Sequence, residues 1–488
     1  MLPFTELFIN GRFVPSSTGE TFEVRNPYTG AVVGTSASAS SEDCKDAIEA
    51  AQQALKTWEN SPLAQRRDIY LKAAELIMTE KYREKIFQAI REETAGSNEL
   101  VMMNVAPVAG TLRAHAGLVE SLRGDVYPSL TVPGAQVVAR PRAMGVIFAI
   151  APWNAPVTLA LRAVSIPILC GNTAVLKSSE ISPRSHSIVV ELFKEAGLPD
   201  GVLNFVSMSR DSAPSLTSEI IAHPAIRHVN FTGSDRVGKI IAMEAAKYLK
   251  PCVLELGGKS PAIVLNDANI SEAARSIVFS AMAHSGQVCM ATSRVIAQRG
   301  ISEQLLSEVK SLITNIKAGD VGNDKSVILG ALFSPGSAEN VVKMLKEAQA
   351  QGAEIISGDI SRNGAVVQPH LVANVKCGMQ IWDREVFGPA LVYAVVDTIE
   401  EAIELANNTD YSLSASVWSK DLAVAQDVAA RIYSGYANIN GPSIHSEPVD
   451  GLVGLGGASG YGRFSIENFT HKRIVVTHPA GRKLPIVS

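Results

Sequence analysis

Charge of one sign is the first thing the sequence lacks. Its 488 residues carry 44 Lys and Arg against 48 Asp and Glu, a formal net charge of −4, so no global field gathers nucleic acid or an anionic membrane surface. Neither partner is expected, and the substrate is expected to be small. Cysteine is also scarce. Cys44, Cys170, Cys252, Cys289 and Cys377 are an odd number at wide spacings, which fits neither a disulfide framework nor paired zinc ligands. A reducing, cytoplasmic setting and no metal site follow as expectations. The N-terminal stretch lacks the basic start and unbroken apolar core of a signal peptide, and no repeat at solenoid periods is visible. Gly and Pro are spread along the chain rather than gathered in one low-complexity segment.

One long apolar run is present, 145–176, with Arg162 as its only formal charge. Pro152, Asn154, Pro156, Pro167 and Gly171-Asn172 interrupt it, so it parses as a buried strand over 146–151, a turn, a short helix and a second strand over 173–177 rather than as a membrane span. The length of the chain predicts two to four domains. After an extended N-terminal lead, helical patterns run over 41–58, with Ser41 as N-cap, and over 63–93. From Val146 onward short β-branched runs alternate with amphipathic stretches at 185–196 and 237–248, and again after Glu255 with helices at 271–284, 302–316 and 338–351. Such alternation argues for parallel sheets with helices on their faces. Segments 125–142 and 471–487 read as extended flaps outside both cores, which favours an oligomer.

Several local motifs mislead. Phe231-Thr232-Gly233-Ser234-Asp235-Arg236-Val237-Gly238-Lys239-Ile240 nearly matches a phosphate loop, but Ile240 stands where a magnesium-binding hydroxyl is needed. Gly257-Gly258-Lys259-Ser260 fails because Val253 replaces the first glycine. Neither predicts nucleotide hydrolysis; what survives is a helix N-terminus beside Gly233 and Ser234 able to receive a dinucleotide pyrophosphate. The glycine-rich stretch 454–462 lacks the GxGxxG spacing and reads as a loop. His284 near Cys289 reads as a packing or capping residue, and His223 and His228 fit no zinc motif.

Six motifs in order carry the decisive signal: Pro152-Trp153-Asn154, Leu176-Lys177-Ser178-Ser179-Glu180, Phe231-Thr232-Gly233-Ser234, Glu255-Leu256-Gly257-Gly258-Lys259, Gly286-Gln287-Val288-Cys289 and Glu385-Val386-Phe387-Gly388-Pro389. Taken singly, Cys289 reads more readily as a small buried hydrophobe, Asn154 as a turn residue and Glu255 as a strand-end surface acid. Together and in this order they resemble the aldehyde dehydrogenase superfamily, from Phe8-Ile9-Asn10-Gly11-Arg12 to Gly460-Tyr461-Gly462-Arg463. The resemblance implies an α/β fold: a Rossmann-type dinucleotide-binding domain (1–124 and 143–254), an α/β catalytic domain (255–450) and a small β oligomerisation flap (125–142 and 467–488), in a homodimer or homotetramer.

It also implies an enzyme. A thiolate adds readily to an aldehyde, giving a thiohemiacetal that surrenders hydride to a nicotinamide and leaves a thioester, so Cys289 is the nucleophile this chemistry needs. Asn154 and the Cys289 backbone N–H would stabilise the developing oxyanion, where one lost donor costs roughly 3 to 4 kcal/mol. Glu255 would be the base that draws a proton from water to hydrolyse the thioester. By the same resemblance Lys177 and Glu180 contact the adenosine ribose, Gly233 and Ser234 the pyrophosphate, Glu385 the nicotinamide ribose, and Trp153 and Phe387 belong to the cofactor site. Glu180 would accept bonds from free ribose hydroxyls and repel a 2′-phosphate, which favours NAD; Lys177 beside it can tolerate a phosphate, so NADP stays open.

Pro152 to Pro156 with Arg162, Ile439-Asn440-Gly441 and Gly462-Arg463-Phe464 look most like the salicylaldehyde and vanillin dehydrogenase branch. That implies an aromatic aldehyde, with Arg162 either steering its ring or hydroxyl or engaged in a helix salt bridge. Segment 447–457 departs from the branch pattern in the substrate-access loop, and Glu467 aligns only loosely with a family glutamate linked to proton relay. Two other functions stay open: transfer of the acyl group to coenzyme A, and a non-catalytic relative that keeps the fold.

Overall fold

The computed structural model describes residues 2–324, 326–449, 451–452, 454–482 and 486. Met1, Lys325, Asp450, Val453, Lys483, Leu484, Pro485, Val487 and Ser488 lie outside them, so the flap expected over 467–488 and the unusual segment 447–457 are each described in part.

Two large sheets carry the molecule. In the first, the order is Gly460–Tyr461, Cys252–Glu255, Ile226–Thr232, Val146–Ile150, Thr173–Lys177, Leu203–Val206, Leu7–Ile9 and Arg12–Val14. The five central strands are parallel and the added edges antiparallel. The central strands are almost wholly buried runs of β-branched and other apolar residues because helices cover both faces. Ile69, Tyr70, Leu161, Val164, Val189 and Phe193 pack one face; Ile48, Leu216, Ile220 and Ile241 pack the other. From Val146–Ile150 the chain winds outward through Thr173–Lys177 to Leu203–Val206, then crosses back to Ile226–Thr232 on the opposite side. Val146–Ile150 therefore lies at the topological switch point, where a crevice opens outside the carboxyl ends of the strands.

Between Glu255 and Ser260 the chain passes into the second sheet, ordered Glu354–Ser357, His370–Ala373, Ala390–Val396, Thr292–Gln298, Ser260–Val264, Ser414–Trp418 and Tyr436–Ile439. All but Glu354–Ser357 run parallel. A third sheet joins Asp125–Pro128, Gln136–Ala143 and Thr470–Thr477 as antiparallel strands, leaving Ile474, Val475 and Val476 exposed on its edge.

The long apolar run resolves into strand Val146–Ile150, helix Pro156–Leu169 and strand Thr173–Lys177. Among the described residues no helix is long and apolar enough to cross a membrane.

Four local expectations are corrected. The N-cap of Ser41–Trp58 is Ser40, not Ser41, because Ser40 and Asp43 form a reciprocal capping box. The pattern over 63–93 is two helices, Leu63–Leu76 and Glu80–Thr94, broken where the Thr79 hydroxyl bonds the Leu76 carbonyl at 2.6 Å. The helix expected over 338–351 starts at Pro335, with Ser334 accepting from Ser337 N at 3.1 Å. Within 454–462, Gly460–Tyr461 is not loop but an antiparallel strand on Cys252–Glu255. Gly460 sits at φ +79°, and a Cβ there would stand 2.2 Å from the Leu254 carbonyl oxygen, so the close approach requires glycine.

Candidate active site

Four of the six motifs lie at the carboxyl ends of parallel strands of the first sheet: Pro152-Trp153-Asn154 after Ile150, Ser178 to Glu180 after Lys177, Gly233-Ser234 after Thr232, and Leu256-Gly257 after Glu255. The other two come from across the crevice, as the loops that enter strands Thr292–Gln298 and Ala390–Val396 of the second sheet. The chemistry thus assembles where the two sheets face each other.

Cys289 Sγ donates to Glu255 Oε1 at 3.1 Å. Gly258 makes room for the loop that carries the thiol, since a Cβ there would lie 1.9 Å from the Cys289 carbonyl oxygen. Desolvation, followed by the Glu255 carboxylate, pushes the Cys289 thiol well above the ordinary cysteine range, while Arg162 pulls the other way. Cys289 therefore rests as a thiol bonded to a carboxylate.

Glu255 is 2% exposed. Its Oε2 accepts from Arg162 Nη2, and the same Nη2 donates to Thr232 Oγ1 at 3.0 Å. The Arg162 guanidinium lies 4.9 Å from the Phe464 ring centroid. Of the two readings of Arg162, an ion pair is thus present, and its partner is Glu255 rather than a residue of its own helix; Arg162 also lines the cavity in front of Cys289.

Asn154 is buried and its Nδ2 donates to the Gln287 carbonyl at 3.0 Å. An amide nitrogen has two hydrogens, so the second is left to serve an oxygen beside Cys289. Gln287 is itself held, its Oε1 accepting from Phe333 N at 2.9 Å and its Nε2 donating to the His284 carbonyl at 3.1 Å.

Trp153 is walled by Phe333 at 4.6 Å, Phe387 at 5.9 Å and His284 at 5.9 Å between ring centroids. His284 packs against Trp153 as expected of a packing residue, and burial depresses its basicity to about 4. Phe387 and His284 hold left-handed backbones, with φ of 50° and 49°, a conformation that bulky residues keep only where the surroundings enforce it.

Glu385 Oε1 accepts from Gly258 N at 3.0 Å. Burial raises the carboxyl to about 7, against the opposing pull of the Gly258 N–H and Lys259. A Cβ on Gly257 would lie 2.6 Å from its other oxygen, so the double glycine admits the carboxylate. Ser234 caps helix Asp235–Lys247, accepting from Val237 N at 3.4 Å. Arg384 Nη2 ties to Asp235 in the first turn of that helix at 2.8 Å.

Two cavities meet at the thiol. One, of about 370 Å³, is lined mainly by apolar side chains including Leu100, Met103, Val288, Met290, Leu452 and Phe464. The second, of about 320 Å³, is lined by Trp153, Gly233, Ser234, Gly257, Glu385 and Phe387. Cys289, Asn154 and Leu159 line both. Lys177 and Glu180 do not line the second cavity. They stand at the end of the adjacent strand, with Lys177 paired to Ile150, and Lys177 Nζ donates to the Ser178 carbonyl at 2.9 Å. Glu467 lines neither cavity.

Sequence reasoning missed the residues that hold this frame. Helix Pro156–Leu169, which carries Arg162, starts at Ala155 without a side-chain cap; Asn104 supplies one, its Oδ1 accepting from Val157 N and Thr158 N at 3.1 Å each. His115 reaches across the apolar cavity, Nε2 to the Pro448 carbonyl at 3.1 Å, and so tethers the part of 447–457 that is described. Gln287, Phe333 and Thr232 were likewise unassigned. Only long-range geometry identifies them.

The residues around the second cavity fit a dinucleotide: a capped helix N-terminus for phosphate, an aromatic wall, and a buried carboxyl whose neighbouring glycines leave it accessible.

The chain is similar to known proteins over its whole length. The aldehyde dehydrogenase family profile matches residues 13–478. Vanillin dehydrogenase of Pseudomonas sp. (strain HR199 / DSM 7063) is 39% identical over 98% of this chain and 99% of its own. The crystal structure of a salicylaldehyde dehydrogenase from Pseudomonas putida G7, complexed with salicylaldehyde, superposes with a TM-score of 0.95 at 35% identity, covering 99% of this chain and 100% of that one. An NADP-dependent glyceraldehyde-3-phosphate dehydrogenase from Bacillus halodurans C-125, complexed with NADP, gives 0.89 at 30% identity over 97% and 99%. With five of its six motifs gathered around one thiol and its full length matched, the chain belongs to the aldehyde dehydrogenase family, enzymes that oxidise aldehydes with a nicotinamide dinucleotide.

Proposed function

We propose that this enzyme oxidises an aromatic aldehyde to the carboxylic acid with NAD, through covalent attachment to Cys289. The observation that carries the reading is the thiol shared by two cavities, one apolar and ring-sized, the other lined by the dinucleotide motifs. Names of full-length relatives, vanillin and salicylaldehyde dehydrogenases, support the substrate class.

The contacts support each role. As Sγ bonds to the carbonyl carbon, its proton passes to Glu255 Oε1, already 3.1 Å away, and the carbonyl π electrons move to oxygen. The second Asn154 N–H and the Cys289 backbone N–H receive that oxyanion. The dinucleotide, when bound, supplies the hydride acceptor. Glu255 releases the thiol proton to solvent and then takes a proton from a second water as that water's oxygen adds to the thioester; the C–S bond breaks, the departing Cys289 sulfur takes the proton back from Glu255, and the acid leaves. Glu255 in contact with the thiol supports hydrolysis over transfer to coenzyme A.

Glu180 beside Lys177 supports NAD. The relative complexed with NADP shares this fold, so the fold by itself does not fix the dinucleotide and the choice rests on local charge. Five free cysteines support a reducing, cytoplasmic setting, and the exposed Ile474, Val475 and Val476 on a bare sheet edge support a homodimer or homotetramer.

The test is reduced-nicotinamide formation with benzaldehyde, salicylaldehyde, vanillin and propanal, each with NAD and with NADP. The aromatic aldehydes with NAD are expected to give the highest kcat/KM; a preference for propanal would overturn the substrate class, and a preference for NADP the cofactor.

Glu385 adds a pH signature. A carboxyl raised to about 7 is protonated below that pH and charged above it, so ribose hydroxyls find a full acceptor only on the alkaline side. NAD affinity is expected to fall as the pH drops through about 7. Glu385→Gln should weaken NAD about tenfold, the loss of a hydrogen bond to a charged group, and flatten that profile. Titration of NAD binding by protein fluorescence checks both.

A further inference from the structure

Arg162 sits on the first reactive pair in a way that neither substrate steering nor a helix salt bridge describes. Its Nη2 is shared between Glu255 Oε2 and Thr232 Oγ1, its guanidinium rests against Phe464, and its Nε is buried with no hydrogen-bond partner among the described residues. Its helix is anchored by the Asn104 cap. The guanidinium is thus held from three sides. With Oε2 of Glu255 tied to it, only Oε1 is left to face Cys289.

We propose that Arg162 is a positioning residue that fixes Glu255 Oε1 on the thiol and supplies the positive charge that lets Cys289 ionise. This rests on the roles assigned above to Cys289 and Glu255. The consequence is double. A carboxylate free to turn away from Sγ would lose the proton transfer that starts the reaction. A thiol facing the carboxylate without a cation would ionise less readily still, because among the described residues the charged groups acting on it are Glu255 and Glu385 on the acidic side and Arg162 on the basic side. A role confined to the substrate ring would produce neither effect.

The test separates this from both alternatives and from failure of the underlying function. In the full-length, cofactor-free protein, alkylation of the Cys289 peptide by iodoacetamide is followed by mass spectrometry across pH, for the wild type, Arg162→Met and Arg162→Lys. The Met variant is expected to alkylate about tenfold more slowly at a given pH, its profile displaced to the alkaline side, with the Lys variant close to the wild type. In turnover, kcat is expected to fall for benzaldehyde and propanal alike in both variants, with KM little changed, because Lys keeps the charge and loses the fork. An unchanged alkylation profile in the Met variant, with a raised KM for benzaldehyde alone, would overturn the proposal in favour of ring steering. If the Met variant does not fold, an Arg162→Lys enzyme with undiminished kcat overturns it equally. Absence of turnover in the wild type would sink the proposed function, while the alkylation profiles would still decide whether Arg162 governs the thiol.

Discussion

Cys289→Ala is expected to abolish reduced-nicotinamide formation with every aldehyde, a loss on the order of 10⁴-fold or more, because removal of a nucleophile leaves only binding and electrostatic stabilisation. The fold should survive. Cys289 is only half-buried, and its side chain makes one hydrogen bond, to Glu255. Dinucleotide binding should also survive, since Gly233, Ser234, Glu385 and the Trp153 wall are untouched. Stopped-flow and steady-state assays beside a fluorescence titration of NAD make the distinction. Turnover persisting in the Ala variant would mean that no covalent intermediate at this position is needed. Loss of NAD binding together with turnover would mean that the substitution had disturbed the frame instead.

Glu255→Gln should produce a different failure. With Glu255 the acceptor first of the Sγ proton and then of the water proton, the variant forms the acyl-enzyme only as the thiol loses its proton directly to solvent and hydrolyses it more slowly still, so a slowed stoichiometric burst of reduced nicotinamide is followed by a steady rate lower by roughly 10²- to 10⁴-fold. Mass spectrometry of the quenched enzyme should find the acyl group on Cys289. The sign of the thiol effect follows from the same contact. Burial and then the Glu255 charge hold the Cys289 thiol above its ordinary range, so a neutral amide in place of that charge lowers the thiol toward its usual value. Alkylation at fixed pH should therefore become faster in the Gln variant, the opposite of the Arg162→Met effect. The substitution also strands Arg162, and breaking a buried ion pair can cost about 3–5 kcal/mol. A melting curve must accompany the kinetics. A Gln variant with no burst would mean that the Sγ proton has no route except Glu255, so that acylation rather than hydrolysis is what stops.

The frame was legible because local physics and tertiary structure agree there. Strands Val146–Ile150 and Thr173–Lys177 are buried on both faces, and such strands read as unbroken apolar runs whose ends are marked by Pro, Gly and Asn. The motifs between them were legible for a related reason: loops at strand ends carry functional groups in short, recognisable spacings. Boundaries read less well. Ser40 and Ser41 have the same propensity to cap, and only the backbone entering the helix chose Ser40. The strand Gly460–Tyr461 was read as loop because a two-residue edge strand held by glycines has no side-chain periodicity to reveal it.

By itself, the sequence determined the α/β character, the succession of motifs and the choice of Cys289, Glu255 and Asn154 as the proposed reactive set. Those follow from residue type and order, which chemistry restricts tightly. Tertiary structure alone decided what those groups face. Asn104, His115, Arg162 and Phe464 lie far from Cys289 along the chain, yet they cap its neighbouring helix, tether the loop across its cavity and hold its base. No local pattern records such contacts, because each is a meeting of side chains from separate elements brought together by the packing of two sheets around one crevice.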